Sequence, residues 1–418
     1  MPGKPDIILI AYHFPPDPAI GSARPYRFYR HLRKSGRRCW VVTAAKPGGA
    51  PLPDVVWVLD RTAGLWDSKT RLPLSVRVQT ERFIRRFLVP AGLGIGWSLD
   101  AARQCRSIVK ENPGRSFVAV STFPPVGAHL AGLWLRLRGT TPWIADFRDP
   151  MISNDPEYLK WPLANPVSAR LERFSLGKAS GVIANTEQLA GQWREAYPWA
   201  RQKVHTIWNG FDPDEQPAAR PIPPRPYRVL AHAGALYGGR TPGPILESLS
   251  RLRETNPEVR DMRVVLVGPA ECSAALDPGL CERGASEGWL DVRDRTVPKS
   301  EAQQLIEEAD YLLLLQPQSA VQVPGKLFEY ISVGRPIVAF VPQNSAVEDI
   351  LGKAGVPYVC IHPDDMIEVR DRKLLEALRF SSAPVRFSDW YADRFNAGYQ
   401  AGLLAALADG ACGDGAGG

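Results

Sequence analysis

Lys326 and Glu329 stand three residues apart at the start of a helix-type run, Lys326 to Val333, introduced by Pro324-Gly325. That spacing puts an ammonium and a carboxylate on one helix face. The first turn of a helix also carries unsatisfied N–H groups and partial positive charge, so Gly325 and Lys326 together suit a phosphate. Glu329 lies one turn further in, about 5 Å along the axis, where a carboxylate can accept both hydroxyls of a ribose. A plain ion pair between Lys326 and Glu329 satisfies the same spacing. Gly334 then occupies a left-handed cap position, Pro336 stops the helix, and Ile337 to Val341 is an apolar run of strand length.

Three further clusters carry chemistry. Gly21 and Ser22 close the stretch Tyr12-His13-Phe14-Pro15-Pro16-Asp17-Pro18-Ala19-Ile20 at the expected start of a helix, with Arg24 just beyond. A phosphate there would meet free N–H groups; a loop with a serine N-cap is the alternative. Asp146, Arg148 and Asp149 gather two carboxylates and a guanidinium within four residues. An adjacent arginine favours the ionised carboxylate, which suits contact with hydroxyls better than general acid work. A structural Asp–Arg network closing the loop is the alternative. Gly234 to Arg240 is glycine-rich and ends in a guanidinium whose fork of donors matches phosphate oxygens; a connector with a solvated arginine reads equally from the residues.

These clusters sit at the ends of expected strands. Strand-length apolar runs at Ile7–Ala11, Cys39–Thr43, Val55–Leu59, Phe117–Ser121, Trp143–Phe147, Gly181–Ala184 and Val204–Trp208 alternate with helical spacing at Ala23–Ser35, Ser75–Leu88, Ser98–Lys110, Gly127–Leu137, Val167–Lys178 and Glu187–Ala196. Such alternation implies an α/β fold with a parallel sheet covered by helices on both faces. Six prolines from Phe211 to Pro226 read as a stiff linker. The alternation then restarts at Val229–Ala233, Arg263–Val267, Trp289–Val292, Ser300–Glu308 and Tyr311–Leu315, and Asp389–Leu407 reads as a final helix. The expected organisation is a domain over 1–210, a linker over 211–226, a second domain over 227–388, a helix over 389–408 crossing back to the first domain with Trp390 and Tyr391 as anchors, and a frayed tail over 409–418.

The charge is uneven. Residues 1–210 carry 30 Lys and Arg against 15 Asp and Glu, a net of +15, and the rest carry 21 against 29, a net of −8. A basic first half implies an anionic partner or surface for that half. Arg82, Arg85 and Arg86 share a helical face while Phe83 and Phe87 pair on another, which suits an anionic membrane surface; an amphipathic helix packed on the sheet is the alternative. Basic residues are not interleaved with aromatics as single-strand nucleic-acid platforms are, so no nucleic-acid partner is expected. Six scattered cysteines form no C-x-x-C pair, which argues for a reducing compartment and against zinc. The opening residues lead straight into a strand and do not read as a signal peptide. Ser116 to Leu135 is charge-free, but its prolines and His129 favour strand–turn–helix over a membrane span. No G-x-G-x-x-G follows either first strand, which counts against a nicotinamide or flavin cofactor.

Together these stretches resemble family 4 glycosyltransferases, enzymes with two facing Rossmann-like domains (the GT-B fold) and a crevice between them. Val323 to Phe340 resembles the family's sugar-nucleotide site, Ser121-Thr-Phe-Pro-Pro125 and Asp146–Pro150 resemble loops of its surface-polysaccharide branch, and Asn209-Gly-Phe-Asp212 resembles its domain junction. The resemblance implies that Lys326 and Arg240 contact a donor diphosphate and that Glu329 holds the nucleotide ribose. It places Gly21, Ser22, Gly234, Gly325 and Leu327 in donor binding, and Val297 in the loop Thr296-Val-Pro298 whose backbone meets the base. Asp146, Asp149, Arg240 and Lys326 are the catalytic candidates, and His13, Arg24 and Arg148 face the acceptor. Many members carry a glutamate eight positions before the ribose-binding one; here that position is Val321. The implied activity is transfer of a sugar from a nucleoside diphosphate sugar to a saccharide or polyprenyl-linked acceptor, with retention, no cofactor and no metal. The implied location is the cytoplasm, peripheral to the inner face of the plasma membrane. A sugar-nucleotide isomerase on the same fold and a non-catalytic sugar-nucleotide or partner-binding protein are the alternatives.

Overall fold

The computed structural model describes residues 4–17, 19–44, 52–60, 94–139, 141–152, 164–236, 239–269 and 276–413. The chain forms two compact units, Met1–Asn209 with Ala397–Gly418, and Gly210–Asn396. The helix expected at Ser75–Leu88, with Arg82, Arg85 and Arg86, lies outside the described residues.

In the first unit seven parallel strands, β1 (Asp6–Ile10), β2 (Cys39–Ala44), β3 (Val55–Val58), β4 (Phe117–Phe123), β5 (Trp143–Phe147), β6 (Gly181–Ala184) and β7 (Val204–Thr206), lie in the order β3-β2-β1-β4-β5-β6-β7. In the second, β8 (Arg228–Ala233), β9 (Met262–Val267), β10 (Leu290–Arg293), β11 (Tyr311–Leu315), β12 (Ile337–Phe340) and β13 (Tyr358–Ile361) lie in the order β10-β9-β8-β11-β12-β13. Both sheets therefore reverse direction once, between β1 and β4 and between β8 and β11. Loops leaving the carboxyl ends of strands on either side of such a reversal diverge and leave a crevice, which is where open α/β sheets bind ligands.

The cores follow from the runs of buried β-branched and leucine residues. In the first unit Ile7, Leu9, Val118, Val120 and Ile144 of the sheet pack with Phe28 and Leu32 of the helix Ala23–Lys34 and with Ala401, Leu404 and Ala408. In the second, Leu230, Val264, Leu313 and Val338 pack with Leu246 and Leu249 of the helix Gly243–Thr255. The charge-free stretch near Ser116–Leu135 is β4 followed by the helix Val126–Leu137, and no helix among the described residues is long and apolar enough to cross a membrane.

Three expectations need correction. The single final helix is two, Asp389–Phe395 and Ala397–Gly413, because Asn396 is extended (φ −66°, ψ 129°) and forms a parallel bridge with Phe211. Tyr391 is consequently buried inside the second unit against Phe211, Phe387 and Phe395, and Trp390 packs edge-on to Phe395. The residues that tie the last helix to the first unit are the small and branched Ala401, Leu404 and Ala408, not Trp390 and Tyr391. The frayed tail is also helical as far as Gly413, with Asp409 accepting two bonds from Arg37 at 2.7 and 2.9 Å. Finally, the proline-rich 211–226 stretch is laid along the second unit. Arg220 pairs with Glu307 at 2.6 Å, Arg225 with Asp310 at 2.6 Å, and Arg335 donates to the Arg220 carbonyl at 2.8 Å.

Candidate active site

In the first unit the loop after β1 is organised by Asp17. Its carboxylate takes the Ala19 N–H at 3.2 Å and lies 2.6 Å from His13 Nδ1, and its carbonyl accepts the Ser22 hydroxyl at 2.8 Å. Ser22 therefore points back into the loop and makes no side-chain cap, so the serine N-cap is not formed. Ile20–Ser22 is a single 3₁₀ turn that runs straight into the helix Ala23–Lys34. Gly21 is closely approached: a Cβ there would lie 3.0 Å from Arg148 Nη1 and 3.2 Å from His13 Cδ2, so either side chain would have to shift by a few tenths of an ångström. Three expected residues, His13, Gly21 and Arg148, thus converge at the ends of β1 and β5.

Arg148 is held by the loop after β4, donating to the carbonyls of Phe123 (3.3 Å) and Pro124. Burial draws its pKa down, and the carboxylates of Asp149 and Asp146 oppose that shift. Arg24 and Asp146 behave differently. The Arg24 guanidinium grips both Asp146 oxygens at 2.7–3.2 Å and also donates to the carbonyls of Ile207 and Trp208, each at 2.7 Å, and to Asn209 Oδ1 at 3.2 Å. Asp146 is 0% and Arg24 4% exposed. The expectation that Asp146 acts on substrate and that Arg24 meets phosphate or acceptor is corrected accordingly: the pair is the structural network, tying the ends of β5 and β7 to the first helix. Asp149 remains half-buried beside Arg148.

In the second unit the loop after β8 begins at Gly234, whose N–H donates to Val267 at 2.8 Å, and reaches the half-buried Arg240. The helix Lys326–Val333 starts where the sequence places it and ends at Gly334 with φ +73°. Lys326 Nζ lies 2.8 Å from Glu329 Oε2, each side chain about one-third exposed, so the two form the ion pair their spacing allows. Gly325 is exposed at the helix start. Leu327 is corrected: its side chain is fully buried and its N–H is taken by the Pro324 carbonyl at 3.0 Å, leaving nothing to offer a phosphate. Val297 lies beyond β10, two strands from β8. Sequence reasoning missed His232, the buried penultimate residue of β8. Burial lowers its pKa to about 4, and the charges of Lys326 and Arg240 act in the same direction. Its one sequence signal is weak: a histidine in an apolar run, two residues before Gly234. Among the described residues no three His, Cys, Asp or Glu side chains gather as a metal site.

Residues 22–215 match the family model for Glycosyltransferase Family 4. Among characterised proteins the chain is similar to the 2-deoxystreptamine glucosyltransferase of Streptomyces kanamyceticus, 23% identical over 399 residues, which is 91% of this chain and 96% of that one. Among solved structures it is similar to the catalytic domain of starch synthase IV from Arabidopsis thaliana bound to ADP and acarbose (TM-score 0.60, 9% identity, 98% of this chain and 100% of the other). It is likewise similar to Anabaena HepE in complex with UDP and glucose (TM-score 0.56, 13% identity, 96% and 98%). The fold is GT-B, as the sequence resemblance implied.

Proposed function

We propose that this chain, a glycosyltransferase of the GT-B type whose residues 22–215 carry the Glycosyltransferase Family 4 match, moves a sugar from a nucleoside diphosphate sugar to a saccharide or lipid-linked acceptor. The observation that carries the reading is topological: the Gly234–Arg240 loop follows β8 and the helix of Lys326 follows β11, the two strands that flank the reversal of strand order, with Glu329 Oε2 2.8 Å from Lys326 Nζ. Breaking the bond between the sugar and its diphosphate leaves negative charge on the departing phosphate oxygens. Fixed cations and a helix N-terminus stabilise that charge without reorganising as it develops. In this reading the donor exchanges partners with the resting ion pair: Lys326 turns from Glu329 to the diphosphate, and Glu329 becomes free to accept the ribose hydroxyls. Arg240 clamps the diphosphate from the loop after β8, beside Gly234, while Gly325 admits it to the helix start.

The first unit takes the acceptor, with His13, Gly21, Arg148 and Asp149 as its contacts. Retention at the anomeric carbon, a surface-saccharide or polyprenyl-linked acceptor, and work at the inner membrane face belong to the same proposal. The family match and the +15 charge of residues 1–210 support them. No cofactor or metal enters the proposed chemistry.

Calorimetry on single variants tests the donor clamp. Arg240→Ala and Lys326→Ala are each expected to remove a charge-assisted contact of about 1.5–3 kcal/mol, weakening UDP or ADP and inorganic pyrophosphate alike. Glu329→Ala is expected to weaken the nucleotide and spare pyrophosphate. Unchanged affinity in all three folded variants would remove the site assignment.

A further inference from the structure

One face of the first unit carries positive charge with no acid to answer it. The helix Ala164–Lys178 buries Ser168, Glu172, Ser175 and Leu176 and leaves Arg170, Arg173, Phe174 and Lys178 exposed along a single stripe. The 3₁₀ turn Pro198–Lys203 lies against that stripe. A Cβ on Gly177 would stand 3.9 Å from the Trp199 ring, and Lys203 Nζ donates to the carbonyls of Gly177 (3.2 Å) and Ala179 (3.1 Å). Phe174 is 44% and Trp199 50% exposed. Each has a lysine over its ring, Lys178 over Phe174 and Lys203 over Trp199, both at 5.9 Å. Elsewhere in the unit Arg33 pairs with Asp54, Arg37 with Asp409 and Arg115 with Asp6. Among the described residues no carboxylate pairs with Arg170, Arg173, Lys178 or Lys203. The helix's one carboxylate, Glu172, faces inward to the Met151 N–H and the Tyr197 hydroxyl.

We propose that this face docks the chain on an anionic membrane, its cations on headgroup phosphates and the Phe174 and Trp199 rings at the boundary with the acyl layer. The occupant follows from the combination of charge and rings. Charge alone would fit any polyanion. Aromatic rings set among lysines fit a boundary that is anionic outside and apolar beneath, where tryptophan is favoured and lysine stems lie along apolar surface with the ammonium outward. The inference gives the membrane-face part of the proposed function a surface, and it rests on that part and not on the donor chemistry. Lys178 and Lys203 lead into β6 and β7, so the face reaches the amino ends of those strands. His13 and Arg148 lie at the carboxyl ends of β1 and β5. A membrane on this face therefore leaves them uncovered, and docking does not compete with acceptor entry.

Flotation of the intact chain tests the surface, with vesicles of phosphatidylcholine alone and of phosphatidylcholine and phosphatidylglycerol in equal parts. At low salt the parent chain is expected to float with the anionic vesicles and not with the neutral ones, and high salt should release it. Arg170→Glu with Arg173→Glu should weaken partitioning by about tenfold or more, since each cation at an anionic surface contributes separately. Trp199→Ala should weaken it severalfold. Arg103→Glu with Arg106→Glu makes the same change in net charge on the exposed side of the helix Ile95–Glu111 and should alter partitioning by less than about threefold. Equal losses from the two double variants would show that attraction follows net charge and not this face. Equal flotation with neutral vesicles, or none with either, overturns the proposal as well. Binding to polyglutamate by a chain that ignores both vesicles would assign the face to an acidic protein instead. Calorimetry with UDP and ADP reads the donor site separately: nucleotide affinity retained in the Arg170 and Arg173 variant shows that it is folded. A parent chain that floats but binds neither nucleotide would overturn the donor reading and leave this surface standing.

Discussion

Replacing Arg24 with alanine is expected to destabilise the first unit by about 3–5 kcal/mol, the range for removing one partner of a buried ion pair. The loss is large because Asp146 would remain buried and charged without its partner, and the carbonyls of Ile207 and Trp208 would lose their donors with it. Arg24 also lies over the Phe28 ring at 4.8 Å, so packing is lost alongside charge. Arg24→Lys keeps the charge but not the planar fork that reaches Asp146 and two carbonyls together, so it should recover only part of the loss. Urea unfolding followed by tryptophan fluorescence measures the effect. A folded Arg24→Ala chain with unchanged stability would return Arg24 and Asp146 to the list of groups available for chemistry.

Glu172 sets a second expectation, this time in pH. It lies in the helix Ala164–Lys178, 2% exposed, and accepts the Met151 N–H at 3.2 Å and the Tyr197 hydroxyl at 3.3 Å. Burial pushes its carboxyl up to about 7 from an ordinary 4.5, outweighing those hydrogen bonds. Below about pH 4.5 the group is protonated folded and unfolded alike. As pH rises from there through about 7, the unfolded chain releases a proton that the folded chain retains. Stability therefore falls across that window, by a total on the order of 3 kcal/mol, and levels off above it. Glu172→Gln removes the titration and keeps an oxygen for Met151 or Tyr197. It should match the parent chain near pH 4.5 and exceed it in stability at pH 8. An equal stability difference at both pH values would show that Glu172 is not the titrating group. Met151 follows Asp149 by two residues, so the same titration bears on the loop that presents Arg148.

The parts of the fold legible in sequence were those whose residues answer to a local rule. Trp143–Phe147, Gly181–Ala184 and Tyr311–Leu315 have the bounds read from their apolar runs, because strands buried on both faces need no alternation. Lys326, Glu329 and Gly334 were legible for the same reason: each has a role within one helix. β13, Tyr358–Ile361, was missed, since four residues beginning directly after Pro357 offer little pattern. The break at Asn396 was missed because its cause is a bridge to Phe211, far away in the chain. Arg24 and Asp146 were each singled out, but their pairing spans 122 positions and no spacing rule connects them. His232 escaped because a buried polar residue acquires meaning only from the neighbouring strand that orients its ring.

The path of the chain also bears on its synthesis. The first unit is discontinuous, closed by a helix that begins at Ala397, after the whole of the second unit, Gly210–Asn396, has been made. At about 5–20 residues per second, the nascent sheet face around Ile7, Val118 and Phe28 waits roughly 10–40 s on the ribosome for Ala401, Leu404 and Ala408 to cover it. During that interval the apolar surface is open to chaperones and to other nascent chains. A premature stop anywhere in the second unit would therefore leave the amino-terminal half complete in sequence yet unsealed, and a target for proteolysis rather than a free-standing domain.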